Sequence, residues 1–596
     1  MKLQTEPILV PGNQLGIKLD FPEQFLDKAM SPYSRNMEYL NGVLAGRGGL
    51  IKFESTQLKG QVMLMENFHT FTPDDYFMVC TNKDIMYYDF TNTYFIYLNK
   101  LYQTGLVYMG TGANSLVVFG SGTAWVGEAT AGDYFKLGTG SLNSDANWYE
   151  IATVNTAQIT LLTAPTGSTY QGYTIRKCFQ GQTGPITGDY WYSTVFQDAV
   201  LSETWVATNG VDVPVRWSGS GQVLDVDTTC ITSARFVGHF KDRLLWAWTI
   251  EGGQNQPQRL RWSAVAAMQT NSASHFIDFM ENQSEITGLT EFNNYLAVMK
   301  DEGARIGRWV GGTAIFDFEV STVPTGCYAP KSIINNGDDI YYYGADSKFH
   351  RWNFLREEDI SVDLLPWMKD FNPNMEIFIT GASISGKNQI RWFVPHGSTS
   401  YHNHTIVYDY EQNIIEIWDT GQAQALSCMG EYIRSTDRFF DDTLYGEEYF
   451  DDQLDYFDDK VSLDNAGVLV YGSYDGYIRE ADSGTQDDGV DYTRDFKTKR
   501  LDFRNPLVEK RLWKQEWAFN TEPSGTVTLT MKKGDNTIEE AEVKTINLSS
   551  TTKDVIRPEV TWDKTDYTFQ FEVKSTNHFE LIGFLNHFFH KGKTLR

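Results

Sequence analysis

Residues 61–100 read QVMLMENFHTFTPDDYFMVCTNKDIMYYDFTNTYFIYLNK. Apolar and polar positions alternate through VMLMENFHTF, DYFMVCT, DIMYYDF and TYFIYL, and a period of two puts alternate side chains on opposite faces of a pleated strand. Thr72-Pro73-Asp74-Asp75 and Thr81-Asn82-Lys83-Asp84 are residue types that close tight turns. The stretch predicts four short antiparallel strands joined as a meander.

The same pattern returns downstream in VFQDAVLSETWVATNGVDVPVRW, ARFVGHFKDRLLWAWTI with RLRWSA, and GLTEFNNYLAVMKDEGARIGRWVGG. It continues in SIINNGDDIYYYGADSKFHRWN, in ASISGKNQIRWFVP with HTIVYDYEQNIIEIWD, and in GVLVYGSYDGYIREAD. Trp217, Trp262, Trp309, Trp352 and Trp418 fall near the ends of successive units. A four-stranded unit repeated every ~40–60 residues is the mark of propeller blades, since each sheet needs a neighbour on either face to cover it. The expectation is an all-β fold, a β-propeller of about seven four-stranded blades, with the tryptophans packed between blades.

Two regions break the pattern. Residues 106–179 are rich in Gly and Thr and hold the hairpin WYEIATV-NTA-QITLL, which predicts a small β-barrel inserted at a loop. The last hundred residues carry RLDFRN, KRLWKQEWAF, GTVTLTMKKG, IEEAEVKTINL, YTFQFEVKS and FELIGFLNHFF, a run of strands that fits an antiparallel sandwich. The predicted organisation is 1–105 as N-terminal segment and first blade, 106–179 as the inserted barrel, 180–485 as the remaining blades and 486–596 as the C-terminal β-sandwich. The sandwich is locally basic, through Lys497, Lys499, Arg500, Arg504, Lys510, Arg511, Lys514, Lys532, Lys533, Lys591, Lys593 and Arg596. It is expected to dock on an acidic neighbour such as another copy of the chain.

The whole chain has 50 Lys and Arg against 77 Asp and Glu, a formal charge of −27. Such a surface repels phosphate and argues against a grip on nucleic acid. The 41% hydrophobic content and 14% aromatic content exclude global disorder and coiled coil. No apolar run reaches the ~20 residues that span a bilayer, and MKLQTEPILVPGNQLG lacks the basic start and apolar block of a secretion signal. Cys80, Cys178, Cys230, Cys327 and Cys428 are scattered, as expected of buried thiols in a reducing compartment.

Catalytic motifs do not surface: there is no GxxxxGK[ST], HExxH or GxSxG, and no cofactor is expected. His396, His402 and His404 offer metal-binding spacing, His402 and His404 on one strand face, but no carboxylate stands close in sequence; the expectation is no metal. Acids are too abundant to single out a glycosidase pair. The segment DRFFDDTLYGEEYFDDQLDYFDDK, 437–460, does stand out. Its acids include Asp441, Asp442, Glu447, Glu448, Asp451, Asp452, Asp455, Asp458 and Asp459, interleaved with Phe440, Tyr445, Tyr449, Phe450, Tyr456 and Phe457. Three readings stand open: a solvated loop held down by its rings, a channel lining past which a polyanion slides, or a Ca²⁺ site, although the spacing is not that of an EF-hand.

Several phrases resemble a known family. SPYSRNMEYLNGVLAGRGGL (31–50), EITGLTEFNNYLAVMKDEGARI (285–306) and GCYAPKSIINNGDDIYYYGADSKFHRW (326–352) are similar to phrases of the tail nozzle and tail hub β-propeller proteins of short-tailed bacteriophages. The inserted module, with Gly132-Asp133, Trp148 and an ITLL strand, resembles one those virion proteins carry. The resemblance implies a non-enzymatic structural protein of the virion tail, assembled in host cytoplasm. It implies a homo-oligomeric ring, commonly a hexamer, on a tail adaptor or portal-proximal protein, where it offers attachment for tail fibres or spikes. Genomic DNA would pass without specific binding, and the acidic loop would face the channel. The alternative is a glycan-binding or glycan-cleaving β-propeller, a receptor-binding protein or a glycosidase.

Overall fold

The computed structural model describes residues 3–9, 16–23, 25–27, 30–40, 43–70, 75–110, 115–143, 146–165, 172–179, 190–226, 229–312, 314–321, 324–420, 425–432, 467–503, 506–534, 540–550 and 554–590. Seven of its antiparallel sheets have four strands each, six of them built from consecutive strands. The quoted stretch forms the first, with Val62–His69, Asp75–Thr81, Ile85–Asp89 and Tyr94–Tyr97 in sequence order. Its register sets Phe77 opposite Tyr88 and Tyr88 opposite Phe95, so one face is a ladder of rings. The turn at Thr81 closes through its own hydroxyl, which accepts from the Asp84 amide at 2.9 Å. The turn predicted at 72–75 falls mostly on residues outside those described. Further along, Asn293 and Asn294 take φ of 48° and 68° between paired Phe292 and Tyr295, the left-handed pair a two-residue hairpin requires.

The chain divides into two compact units: Phe53–Cys327 with Ser427–Ile478, and Met1–Lys52 with Tyr328–Leu426 and Arg479–Arg596. In the first, consecutive sheets pack face against face. Trp217 of the second sheet rests on Phe68, Tyr76 and Tyr87 of the first, with ring centroids 5.9, 4.8 and 5.5 Å away. Phe196, Val206, Val237 and Trp246 fill the space between the second sheet and the third. Phe236, Leu245, Trp262, Leu296, Val298 and Phe316 fill that between the third and the fourth. Successive four-stranded meanders stacked in this way are the blades of a β-propeller.

Trp309 departs from the expected inter-blade packing and is 58% exposed. A break in register between Trp309 and Gly311 lies at the hairpin end, where bulges re-aim side chains.

Between the first and second blades sits a seven-stranded sheet in the order Leu101–Tyr102, Tyr173–Arg176, Tyr134–Leu137, Tyr149–Val154, Gln158–Leu161, Val117–Ser121, Leu106–Met109. Its two outermost strands are consecutive in the chain, and it curls into a small barrel round one core that includes Val107, Trp125, Phe135, Ile159 and Tyr173. Arg176 fastens it to the first blade: its guanidinium meets Asp84 at 2.9 and 3.1 Å, both side chains 0% exposed. The rings of Tyr97, Trp148 and Tyr134 enclose the cation at 3.5, 4.5 and 4.7 Å.

In the other unit, two further four-stranded sheets share a core of Tyr341, Tyr343, Phe349, Trp392, Ile406 and Tyr408. The sandwich packs one sheet, which includes Lys510–Asn520 and Glu580–His590, on a second, which includes Phe569–Ser575 and Thr526–Lys533. Trp517 stacks on Phe584 at 4.3 Å in its core. The sandwich also takes strands from the start of the chain: Leu3–Leu9, Tyr33–Arg35, Met37–Leu40 and Val43–Gly46. Leu50–Lys52 then pairs with Ile478–Ala481, Leu50 opposite Ala481.

Candidate functional site

A cluster of perturbed charge gathers where residues 33–52 and 479–497 meet the sheet that ends in Ile414–Asp419. That strand is the last of its sheet, and residues 36–39 run beside it. The Asn36 amide donates to the Ile417 carbonyl at 3.2 Å, the Trp418 indole N–H to the Met37 carbonyl at 2.9 Å, and the Tyr39 amide to Glu416 Oε1 at 2.9 Å. Because side chains alternate along the strand, Glu416 and Trp418 share the face turned to this segment.

The result is a closed charge cluster. Arg391 is fully buried; it reaches Asp482 with two nitrogens, at 3.1 and 2.8 Å, and lies 4.5 Å from the Trp418 ring. Lys387 bridges Asp482 at 3.0 Å and Glu38 at 3.2 Å, and Gln389 donates to Glu38 at 2.9 Å. Burial pushes Asp482 up, but Arg391 and Lys387 outweigh it and hold the carboxyl well below its usual range. Among the described residues no cation pairs with Glu416. Burial, and after it the charge of Glu38, push its carboxyl up to about 8. Its Oε2 lacks a hydrogen-bond partner beside a cavity of about 10 Å³ lined by Tyr39, Gln389, Val407, Asp409, Ile414 and Glu416.

Glu38 and Glu416 are thus two acids close enough for the charge of one to raise the other. A cavity that size holds one water, however, whereas a ligand cleft measures several hundred Å³. The chemistry this arrangement offers is retention of a proton by Glu416. A second acid pair lies on the sandwich: burial and then Glu572 push Asp495 up to about 7. Lys532 meets Glu572 at 3.3 Å, and Lys497 lies over Tyr33 at 4.3 Å. Neither pair was singled out from the sequence. Their members are far apart in the chain, so no local motif marks them.

Asp419 binds Arg35 and also accepts from Asn36 at 3.2 Å, and His404 Nε2 lies 3.1 Å from its Oδ1. His396 and His404 do come together, ring centroids 5.1 Å apart, with Trp367 stacked on His396 at 4.4 Å. His402 does not join them. It is fully buried with Nδ1 3.1 Å from the Leu426 carbonyl, and burial pushes it down to about 4. Among the described residues the cluster with three metal-ligating donors is instead Glu522, His578 and Glu580. The nine acids Asp441, Asp442, Glu447, Glu448, Asp451, Asp452, Asp455, Asp458 and Asp459 lie outside the described residues. None of the five cysteines forms a disulfide, and Cys80, Cys327 and Cys428 are buried. Among the described residues no helix is long and apolar enough to cross a membrane.

No family model matches the chain, and no curated protein matches it. Among solved structures it is similar to a catalytically inactive virginiamycin B lyase from Staphylococcus aureus with quinupristin, at 11% identity over 64% of this chain and 98% of that one, TM-score 0.28. It is similar to lignostilbene dioxygenase of Pseudomonas brassicacearum, at 7% identity over 65% and 91% of the two chains, TM-score 0.29. It is also similar to an exo-β-1,3-galactanase of Phanerochaete chrysosporium with galactose, at 9% identity over 81% and 95%, TM-score 0.19. At scores this low none of them bears on function, and the propeller assignment rests on the sheets themselves.

Proposed function

We propose that the chain is a structural, non-enzymatic component of a bacteriophage tail, a β-propeller that joins copies of itself in a ring around the path of the genome. The observation that supports this most is how buried charge is spent. Asp84 with Arg176 and Asp487 with Arg47 each tie one β module to another through ion pairs sheltered from water, and Asp482 does so with the buried Arg391 and the partly exposed Lys387. Modules braced in this way suit a part that bears load, whereas an enzyme commonly keeps such groups facing a cleft. The formal charge of −27 supports the same reading, since like charge lets DNA pass without adhering.

On this reading the ring sits on a tail adaptor, offers its outer surface to fibres or spikes, and is assembled in host cytoplasm. Electron micrographs of the purified chain, with and without an adaptor protein, are expected to show a ring whose central opening admits duplex DNA. Single particles under every condition, or turnover of a glycan, would overturn it.

A glycan-binding propeller is the second reading, favoured by one observation. Trp309 and, on the neighbouring strand, Tyr295 are both exposed at the hairpin ends of the fourth blade. Loss of binding to host surface glycan in Trp309→Ala would support it, and absence of glycan binding by the unaltered chain would end it.

A further inference from the structure

Strand Glu580–His590 is entered through His578-Phe579-Glu580, and alternation in extended chain decides where these side chains go. Phe579 is fully buried in the sandwich core, so His578 and Glu580 stand together on the other side. The neighbouring strand Lys510–Asn520 pairs Phe519 with Leu581 and then turns, which brings Glu522 alongside. His578 Nδ1 lies 2.7 Å from Glu522 Oε1, and Asn520 donates to Glu580 Oε2 at 2.5 Å. One donor atom from each of Glu522, His578 and Glu580 lies within 4.8 Å of the other two.

We propose that Glu522, His578 and Glu580 bind a divalent transition-metal ion, zinc being the best match. One imidazole nitrogen with two carboxylate oxygens is a borderline donor set. Calcium wants six to eight oxygens, and soft ions want sulfur. Metal–ligand bonds of about 2.0–2.2 Å set donors roughly 3–4 Å apart round the ion, so small side-chain rotations close the present spacing. The ion replaces the hydrogen bond between His578 and Glu522, with Nδ1 bare and both carboxylates ionised. Asn520 already fixes Glu580, as an outer-shell partner does for a ligating carboxylate. Gly46 keeps the space on one side: a Cβ there would lie 3.3 Å from His578 Cδ2 and 2.4 Å from Arg494 Cδ. The bound ion ties the turn after Lys510–Asn520 to the entry of Glu580–His590, and water completes its coordination.

The test uses the untagged full chain, stripped with a chelator and dialysed against micromolar Zn²⁺ or Co²⁺. Wild type is expected to retain about one more ion per chain than Glu522→Gln/Glu580→Gln, and to unfold at a higher temperature with the ion than without. The metal-free variant should melt as metal-free wild type does. Equal metal content in the two proteins, or a melting temperature indifferent to the ion, overturns the proposal. If the variant does not fold, zinc K-edge absorption of loaded wild type decides alone. One imidazole among oxygen neighbours at about 2.0–2.1 Å upholds the site, and sulfur or several imidazoles overturn it.

Discussion

Replacement of Glu416 by Gln should change the way stability depends on pH more than it changes stability itself. The Glu416 carboxyl is raised from its ordinary 4.5 to about 8, with burial the main cause and Glu38 the next. A group raised in this way keeps its proton in the folded chain at pH values where the unfolded chain has released it. Its contribution is therefore fully present below about 4.5, declines as pH rises, and is gone once pH passes the folded value near 8. A tenfold change in proton affinity is worth ~1.4 kcal/mol, so the full swing is about 5 kcal/mol and the part between pH 5 and 8 about 3–4 kcal/mol.

Gln has no proton to lose. Its amide keeps the oxygen that accepts from Tyr39, while the new N–H groups carry a pH-independent cost of ~1–3 kcal/mol. Titrating groups that do not interact with Glu416 are common to both proteins and cancel in the difference, which leaves the coupled response of Glu38 and Asp409 as part of the signal. The assay is native-state hydrogen exchange across pH 5–8, corrected for intrinsic rates, in peptides that cover Ile414–Asp419, because a chain of two units need not unfold in one step. The variant should gain on wild type steadily as pH rises. Parallel curves would show that Glu416 is ionised in the fold and would refute the reasoning.

Arg176→Met should cost ~3–5 kcal/mol by leaving Asp84 buried without its cation, and adding Asp84→Leu should restore much of it; urea unfolding of the three proteins checks both. Asp482→Asn should destabilise by a similar ~3–5 kcal/mol because Arg391 is fully buried, and wild type should lose the same support on acidification, when Asp482 takes up its proton. Trp217→Ala should cost ~3–5 kcal/mol, whereas Trp309→Ala should stay within ~0.5 kcal/mol, a contrast that calorimetric melting of the two variants would read directly.

How far the sequence carried the fold depends on what is local. The first blade follows from alternation and turn residues within forty positions, and the Asn293-Asn294 hairpin from two side chains that tolerate positive φ. Pairing partners are another matter. A period of two identifies a strand and its faces but not the strand it joins. Nothing in Leu50–Lys52 announces that it pairs with Ile478–Ala481, or in Leu3–Leu9 that it pairs with Glu580–His590. The histidines show the same limit, since spacing grouped His402 with His404 while the fold sends His402 into the core against Leu426. His578 and Glu580 were legible as an i, i+2 pair, but Glu522 joins them only through the strand pairing.

The charge cluster around Arg391 bears on how the buried acid Glu416 is tolerated. Two cations, Arg391 and Lys387, face two anions, Asp482 and Glu38, and their hydrogen bonds are mutual. Glu416 is a further acid in the same space, with Asp409 lining the cavity beside it and itself raised by burial. Were Glu416 ionised, the cluster would carry an excess negative charge shut away from water, where desolvation costs several kcal/mol per ion. A proton on Glu416 avoids that cost without another cation and leaves one oxygen to accept from Tyr39. The same proton makes the junction between the N-terminal segment and this sheet sensitive to alkaline conditions. An isolated acid that burial alone had raised would be indifferent to Lys387. If neighbouring charge counts as well as burial, Lys387→Met should raise Glu416 further, and the loss of protection in Ile414–Asp419 should then continue to a higher pH than in wild type.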